Sequence, residues 1–414
     1  MRSLNFKILL GGLAILLTVM ACSTGSAALP TIATFPPASA APAVTDTASP
    51  IPATAAPTVP VATDTATSFP ATSTPSLPAL PVATSPSIQS LTMLDLNNGW
   101  GLTDTGVVRT TDGGSSWFNA TPSGLNGAPT NPFFLDASTG WLAVNADNPT
   151  TGTLYHTSDG GASWSATTVP FGGGSMHFID AMHGWDLVGL NAGMSHEAVG
   201  IFRTNDGGVT WSRILINDPT VAGYTNSLPL VGDKNGITVL DSNHAWVTGT
   251  QPSSDFIYIY ASQDGGITWA HQNLAIPAGY SGAMTGANLP VFFGNSEAVL
   301  PVLLFANNNG TDFYVSHDGG QTWSATTPVG QGGFLSAASA SNFFVWDGSA
   351  PLNVSHDAGA SWSTVTPNVT IKDNMVSMQF INATTGWALT SDASSHRMLY
   401  KTVDGGAILT VLIP

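Results

Sequence analysis

The chain has 414 residues, with 25 acidic side chains against 9 basic ones, and charged residues make up only 8% of it. A formal net charge of −16 at pH 7 excludes the phosphate-neutralising surface on which nucleic-acid binding depends. Of the acids only Glu197 and Glu297 are Glu and the rest are Asp; Asp is the carboxylate of turns, so the bias points to an all-β protein.

The N-terminus places Arg2 and Lys7 ahead of the apolar run Ile8 to Met20, a run shorter than a comfortable membrane span and typical of a cleaved leader. Ala21-Cys22 ends the run and resembles the lipobox of bacterial lipoproteins, which implies thioether lipidation of Cys22 and a leader over residues 1–22. Cys22 is the only cysteine, so no disulfide forms within the chain. Acyl chains contribute about 0.8 kcal/mol per buried methylene, enough for several to hold a protein at a membrane surface. The expected location is extracytoplasmic, lipid-anchored to a bacterial membrane or cell surface.

Residues 23–88 are Ala, Pro, Thr, Ser and Val with almost no aromatics. Such a stretch buries too little surface to offset the entropy of ordering, and it reads as a disordered stalk. As a flexible coil it spans roughly 45 Å, and as a polyproline-like rod up to about 200 Å.

From residue 89 to 414 the chain repeats. Six segments carry [S/T]-x-D-[G/A]-G-x-[S/T]-W and a seventh keeps its first half, with aspartates at Asp112, Asp159, Asp206, Asp264, Asp318, Asp357 and Asp404. In a tight turn an Asp accepts hydrogen bonds from nearby backbone N–H groups, and the glycine two residues on takes φ > 0 without steric cost. Five residues after each Asp stands Trp117, Trp164, Trp211, Trp269, Trp323 or Trp362, placed to seal the turn; the last unit has Leu409 and is expected to be the least tightly sealed. A second turn ending in G-W or A-W precedes the box at Trp100, Trp141, Trp185, Trp246 and Trp387, and Trp346 lies two residues beyond its slot. Each unit therefore reads as strands A and B, strand C, the box turn and strand D. Seven such units predict a seven-bladed β-propeller with four-stranded antiparallel blades, which removes exposed sheet edges by radial repetition.

The A–B and C–D turns keep a constant length around the ring, whereas the B–C and D–A connections vary. Those two connections emerge on one face, so one rim is uniform scaffold and the other carries every insertion, where binding residues are expected. The main insertions are Asn191 to Gly200 with His196 and Glu197, Ile214 to Gly236 with Tyr224, Asn226, Asp233 and Lys234, Ala270 to Pro290 with Tyr280, and Asn307 to Asp312. Asp392, His396 and Arg397 occupy the matching connection of the last blade.

The pairing of F-x-D-x-x-x-G-W with Y-x-T-x-D-G-G-x-x-W around seven units resembles the photosystem II stability/assembly factor propellers, within the BNR/Asp-box superfamily. That resemblance covers about residues 89 to 414 and implies a binding scaffold used in membrane-protein assembly. The arginine-rich surface of its phototroph members has no counterpart here, since the propeller has four arginines: Arg109, Arg203, Arg213 and Arg397. Asp-boxes also occur in sialidases, whose substrate carboxylate needs a convergent arginine cluster; these four are scattered, and no carboxylate pair for glycoside hydrolysis stands out. No catalytic residue, cofactor or metal site is assigned, and His177 and His183 form no ligand spacing; calcium on loop carboxylates stays open. The leading expectation is a non-catalytic monomer that holds a protein or cell-envelope component on its insertion-bearing face. The alternative is a glycan-binding propeller or glycoside hydrolase.

Overall fold

The structure, a computed structural model, describes residues 79–125, 129–145, 151–306, 309–330, 332–349, 351–371, 374–392 and 394–413. The leader, Cys22 and the stalk through residue 78 lie outside the described residues, as do Asn307 and Asn308 of one insertion.

No described residue is α-helical, and the strands form seven antiparallel blades. Blade 1 is β1 (Ile88–Met93), β2 (Gly99–Thr103), β3 (Val107–Thr110) and β4 (Phe118–Asn119). Blade 2 is β5 (Thr130–Phe134), β6 (Gly140–Asn145), β7 (Gly152–Thr157) and β8 (Ser165–Val169). Blade 3 is β9 (Ser175–Phe178), β10 (Gly184–Gly193), β11 (His196–Thr204) and β12 (Ser212–Ile216). Blade 4 is β13 (Asp233–Val239), β14 (Ala245–Thr250), β15 (Ile259–Ser262) and β16 (Ala270–His271). Blade 5 has a split inner strand, β17 (Met284–Ala287) and β18 (Val291–Phe293), then β19 (Glu297–Phe305), β20 (Gly310–Ser316) and β21 (Ser324–Ala325). Pro290, which has no N–H to give a ladder, stands in the split. Blade 6 is β22 (Phe334–Ala337), β23 (Phe343–Trp346), β24 (Leu352–Ser355) and β25 (Ser363–Val365). Blade 7 is β26 (Met375–Phe380), β27 (Gly386–Ser391), β28 (Arg397–Thr402) and β29 (Thr410–Ile413). Blades 4 and 5 touch through one bridge, Thr250 with Gly286.

The core does not sit inside the blades but between them. Each hydrophobic cluster straddles one seam: Trp100 and Leu102 of blade 1 pack with Phe134 and Leu142 of blade 2, and Trp185 and Ile201 of blade 3 pack with Ile237 and Val247 of blade 4. The pattern repeats around the ring until Trp387 and Leu399 of blade 7 meet Ile88 and Trp117 of blade 1. Blade 7 takes its outer strand from the chain's own end, so closure uses packing and not a strand borrowed from the N-terminus. Leu409 is itself buried in the seam between blades 6 and 7. At the outer edge of blade 1, Ala83 N–H donates to Trp117 O at 2.8 Å and Asn119 N–H to Pro81 O at 2.7 Å, which extends that sheet.

The Asp-box works through two side chains. The hydroxyl two residues before each Asp accepts the N–H of the second glycine position at 2.8–3.0 Å and donates to Asp Oδ1, as with Thr110, Asp112 and Gly114 or Ser316, Asp318 and Gly320. Oδ1 also accepts the N–H four residues on, and in blades 2 to 6 Oδ2 accepts the hydroxyl of that residue at 2.5–2.6 Å. Hydrogen bonds from Thr322 and Ser361 hold Asp318 and Asp357 down to about 2. Blade 7 has Ile408 at the fourth position, which gives Asp404 only a backbone donor.

The first position after each Asp ties the box to the A–B turn of its own blade: Gly113 N–H donates to Asn97 O, Gly207 to Met182 O and Gly405 to Thr384 O, each near 2.8–2.9 Å. The A–B turn has its own clasp, an Asx turn in which Asp95, Asp136, Asp180, Asp241 or Asn382 accepts the next N–H groups at 2.6–2.9 Å. Both turn families thus lie on one rim and lock each other. The B–C and D–A connections are left to the opposite rim.

Candidate functional site

The inner strands of neighbouring blades contact one another around the axis, β5 with β9, β9 with β13 and β22 with β26. At the insertion-bearing mouth blades 2 to 5 line a cavity of about 530 Å³. Its wall draws Asn131 and Pro132 from blade 2, Gly174, Ser175, Leu187, Gly189 and Glu197 from blade 3, and Lys234, Asn235, Gly236 and Leu289 from blades 4 and 5. Gly174, Gly189 and Gly236 leave the wall without side chains at three points, and Asn131 holds φ 45°, a left-handed conformation that Asn tolerates better than most residues.

Glu197 and Lys234, two of the residues singled out by sequence, meet here. Glu197 Oε2 accepts the Lys234 backbone N–H at 2.5 Å. Lys234 is only 8% exposed, and its ammonium gives its hydrogens to Glu197 O, Leu230 O and Gly232 O at 2.9, 3.0 and 2.7 Å. An ammonium has three donors, so the cage uses all of them. Burial lowers the Lys234 ammonium to about 8. Burial raises the Glu197 carboxyl against the opposing pull of the Lys234 N–H and charge, and Asp233 adds to the rise. Glu197 Oε1 remains beside Gly189 on the cavity side.

The other candidates scatter. His196 is exposed, with Nδ1 2.8 Å from Met194 O, and Asp233 is exposed at the start of β13. Tyr224 is exposed and its hydroxyl donates to Asn226 Oδ1 at 3.0 Å. Tyr280 is half-buried against the seam between blades 4 and 5, its ring covering Gly310. Arg397 is not on a loop: it lies in β28 and donates from Nε to Gln89 Oε1 at 2.7 Å, a tie between blades 7 and 1. Asn191 to Gly200 is likewise no loop. Pairing of β10 with β11 runs out to Gly193 and His196, and the tip turns through Met194 and Ser195 at φ 53° and 60°, the left-handed pair that a two-residue hairpin turn requires. Met194 at that tip is 96% exposed.

Three of the described cations are committed to the scaffold. Arg109 Nη1 donates to Gly160 O of the next blade at 2.7 Å, the Arg203 guanidinium lies 4.7 Å from the centroid of Trp185, and the Lys401 ammonium 5.0 Å from that of Trp387. Each is the cross-strand partner of its blade's B-strand tryptophan, and His156 stacks on Trp141 in the same slot at 4.8 Å. The tryptophans donate onward into the next blade's box, Trp141 to Gly207 O, Trp185 to Gly265 O and Trp387 to Gly113 O. No group of three or more His, Cys, Asp or Glu that could hold a metal occurs among the described residues.

Sequence reasoning missed Asp186. It lies in β10 one residue past Trp185, where the other blades place Gly101, Leu142, Val247, Leu300, Val345 and Ala388. The side chain is fully buried, neither oxygen has a hydrogen-bond partner, and burial raises it to about 7. It fills the space that a side chain at Gly174 would need, so the carboxyl stands directly behind the cavity wall. An aspartate in an otherwise apolar slot of the repeat was the available signal. Asn131, Ser175 and Leu289 carried none, because three different blades bring them together.

The BNR/Asp-box repeat family matches residues 314–325, the box and flanking strands of blade 5. No curated relative matches the sequence significantly. Among solved structures, YCF48 bound to D1 peptide is 19% identical with a TM-score of 0.51, over 79% of this chain and 99% of that one. YCF48 from Cyanidioschyzon merolae is 16% identical with a TM-score of 0.49, over 79% and 96%. A PL25 ulvan lyase is 12% identical with a TM-score of 0.49, over 80% and 94%. The chain is a seven-bladed propeller, similar in fold to YCF48, and the segment around its blade 5 turn matches the BNR/Asp-box repeat.

Proposed function

We propose that this protein is a non-catalytic binding propeller, tethered outside a bacterial membrane by lipidated Cys22 and the stalk, that holds a segment of a partner protein at its insertion-bearing mouth. The observation that carries the reading is the division of labour between the rims: the clasps, with Arg109, Arg203 and Lys401, occupy one, while the other presents a cavity lined by blades 2 to 5, a protruding hairpin and every length variation. Binding sites favour concave, preformed positions of this kind. The D1 peptide bound by YCF48, a protein of the same fold, supports a peptide or protein ligand over a small molecule. Among the described residues the cavity mouth has no convergent guanidinium groups of the kind a sialidase-like reaction needs, since Lys234 is caged and the arginines are stacked or bonded elsewhere.

A photo-crosslinking amino acid at Met194, in intact cells, tests the reading. The expected result is a discrete crosslinked envelope protein that disappears when the cavity is filled by Leu289→Trp. Absence of any protein adduct, together with cleavage of a polysaccharide by the purified chain, would sink it. Metabolic labelling with palmitate, abolished by Cys22→Ala, checks the anchor separately.

A further inference from the structure

We infer that the cavity at the insertion-bearing mouth receives a cationic side chain, an arginine or lysine of the partner segment, with Glu197 Oε1 as its counter-charge. This rests on the binding reading above and specifies its ligand. Four observations lead to it. Lys234 offers the cavity no hydrogen, because its three donors end on Glu197 O, Leu230 O and Gly232 O. Glu197 is held in place through Oε2 by the Lys234 backbone N–H, which leaves Oε1 facing inward beside Gly189. Asp233 directly precedes Lys234 at the start of β13, so two carboxylates, Glu197 and Asp233, stand by the single caged ammonium.

The fourth observation is independent of that surface. Asp186 is fully buried with both oxygens unpartnered, and its carboxyl abuts Gly174 in the wall. A buried carboxyl with no donor is a standing penalty in the empty protein. A positive charge lodged on the far side of Gly174 lowers that penalty through the low-dielectric wall. Arginine suits the place because its guanidinium supplies several donors in a plane, reaching Glu197 Oε1 and the Asn131 and Ser175 oxygens together. Met194 and Leu190 on the exposed end of the β10–β11 hairpin offer contact to apolar residues flanking the cation.

Calorimetry with the full chain against four acetylated, amidated pentapeptides tests this. All have the form Gly-Leu-X-Leu-Gly, with X arginine, lysine, norleucine or glutamate. The arginine peptide is expected to bind at least tenfold more tightly than the norleucine peptide. Glu197→Gln, which keeps an acceptor for the Lys234 N–H, should erase that ratio at an unchanged thermal midpoint. Leu289→Lys, which places an ammonium in the cavity while leaving Glu197 intact, should erase it as well and keeps the test valid if the first variant misfolds. Norleucine or glutamate peptides binding as tightly as arginine would overturn the cationic ligand and leave a peptide-binding propeller standing. Failure of all four peptides, or preference for a chitosan oligosaccharide over them, would overturn both.

Discussion

Asp186 shows what a single residue can carry in a repeat protein. The equivalent positions in other blades are apolar or glycine, and the scaffold gains nothing structural from a carboxyl with no donor. Its folded-state value, raised by burial to about 7 from an ordinary aspartate near 4, fixes the sign of its effect. Between these values the folded protein holds a proton that the unfolded chain has released, so stability falls as pH rises through that window and stays lowered above it. Asp186→Asn, which removes the charge and keeps the shape, should raise the unfolding free energy at pH 8 by on the order of 2–4 kcal/mol and change it little at pH 4. Urea denaturation at the two pH values measures the difference. A wild-type chain whose stability is flat across the window would show that the carboxyl has found a donor. If the cationic ligand is right, the same substitution weakens its binding, the familiar exchange of stability for function at a working site.

The hairpin is the next scale, and the Asp-box of blade 6 departs from its siblings there. The residue after the Asp is a glycine at positive φ in six blades, but blade 6 has Ala358 at φ 58°. The N–H of Ala358 still donates to Ser341 O, so the turn keeps its geometry and the side chain bears the strain. Ala358→Gly should stabilise the protein by roughly 0.5–1 kcal/mol, the left-handed penalty less the added chain entropy, readable as a higher urea midpoint with an unchanged slope. At this scale the sequence was most legible: Asp, the two glycine positions and the hydroxyl act within six residues, and local chemistry shows in local spacing. The A–B turn was visible for the same reason. The extended β10–β11 hairpin was not, because Asn191 to Gly200 carries no alternation of apolar and polar residues to mark paired strands beyond the core. Arg397 looked free because its partner Gln89 is 308 positions away. The cavity was illegible in principle, since its lining residues come from four blades and from no single segment.

For the whole molecule, placing the core in seams makes the ring cooperative. A blade has no hydrophobic interior of its own to fall back on, so loosening one seam exposes the faces of two blades. Trp387→Ala tests this at the closing seam, where the indole packs with Ile88 and Trp117, donates to Gly113 O and carries the Lys401 ammonium. A loss of about 3–5 kcal/mol is expected for a buried tryptophan, and unfolding should remain a single transition whether followed by tryptophan fluorescence or far-ultraviolet dichroism. Early melting of blade 7 alone, seen as two transitions, would mean that the seams act independently.

The outermost strands add one more consequence. β4, β16 and β21 are two residues long, and β4 is further covered by Pro81 and Ala83. At these three blades the edge offers too few free amide and carbonyl groups to template a strand from a neighbouring copy. On that part of the perimeter crowded copies find nothing to zip onto, without the edge lysines that a chain this poor in basic residues could hardly have supplied.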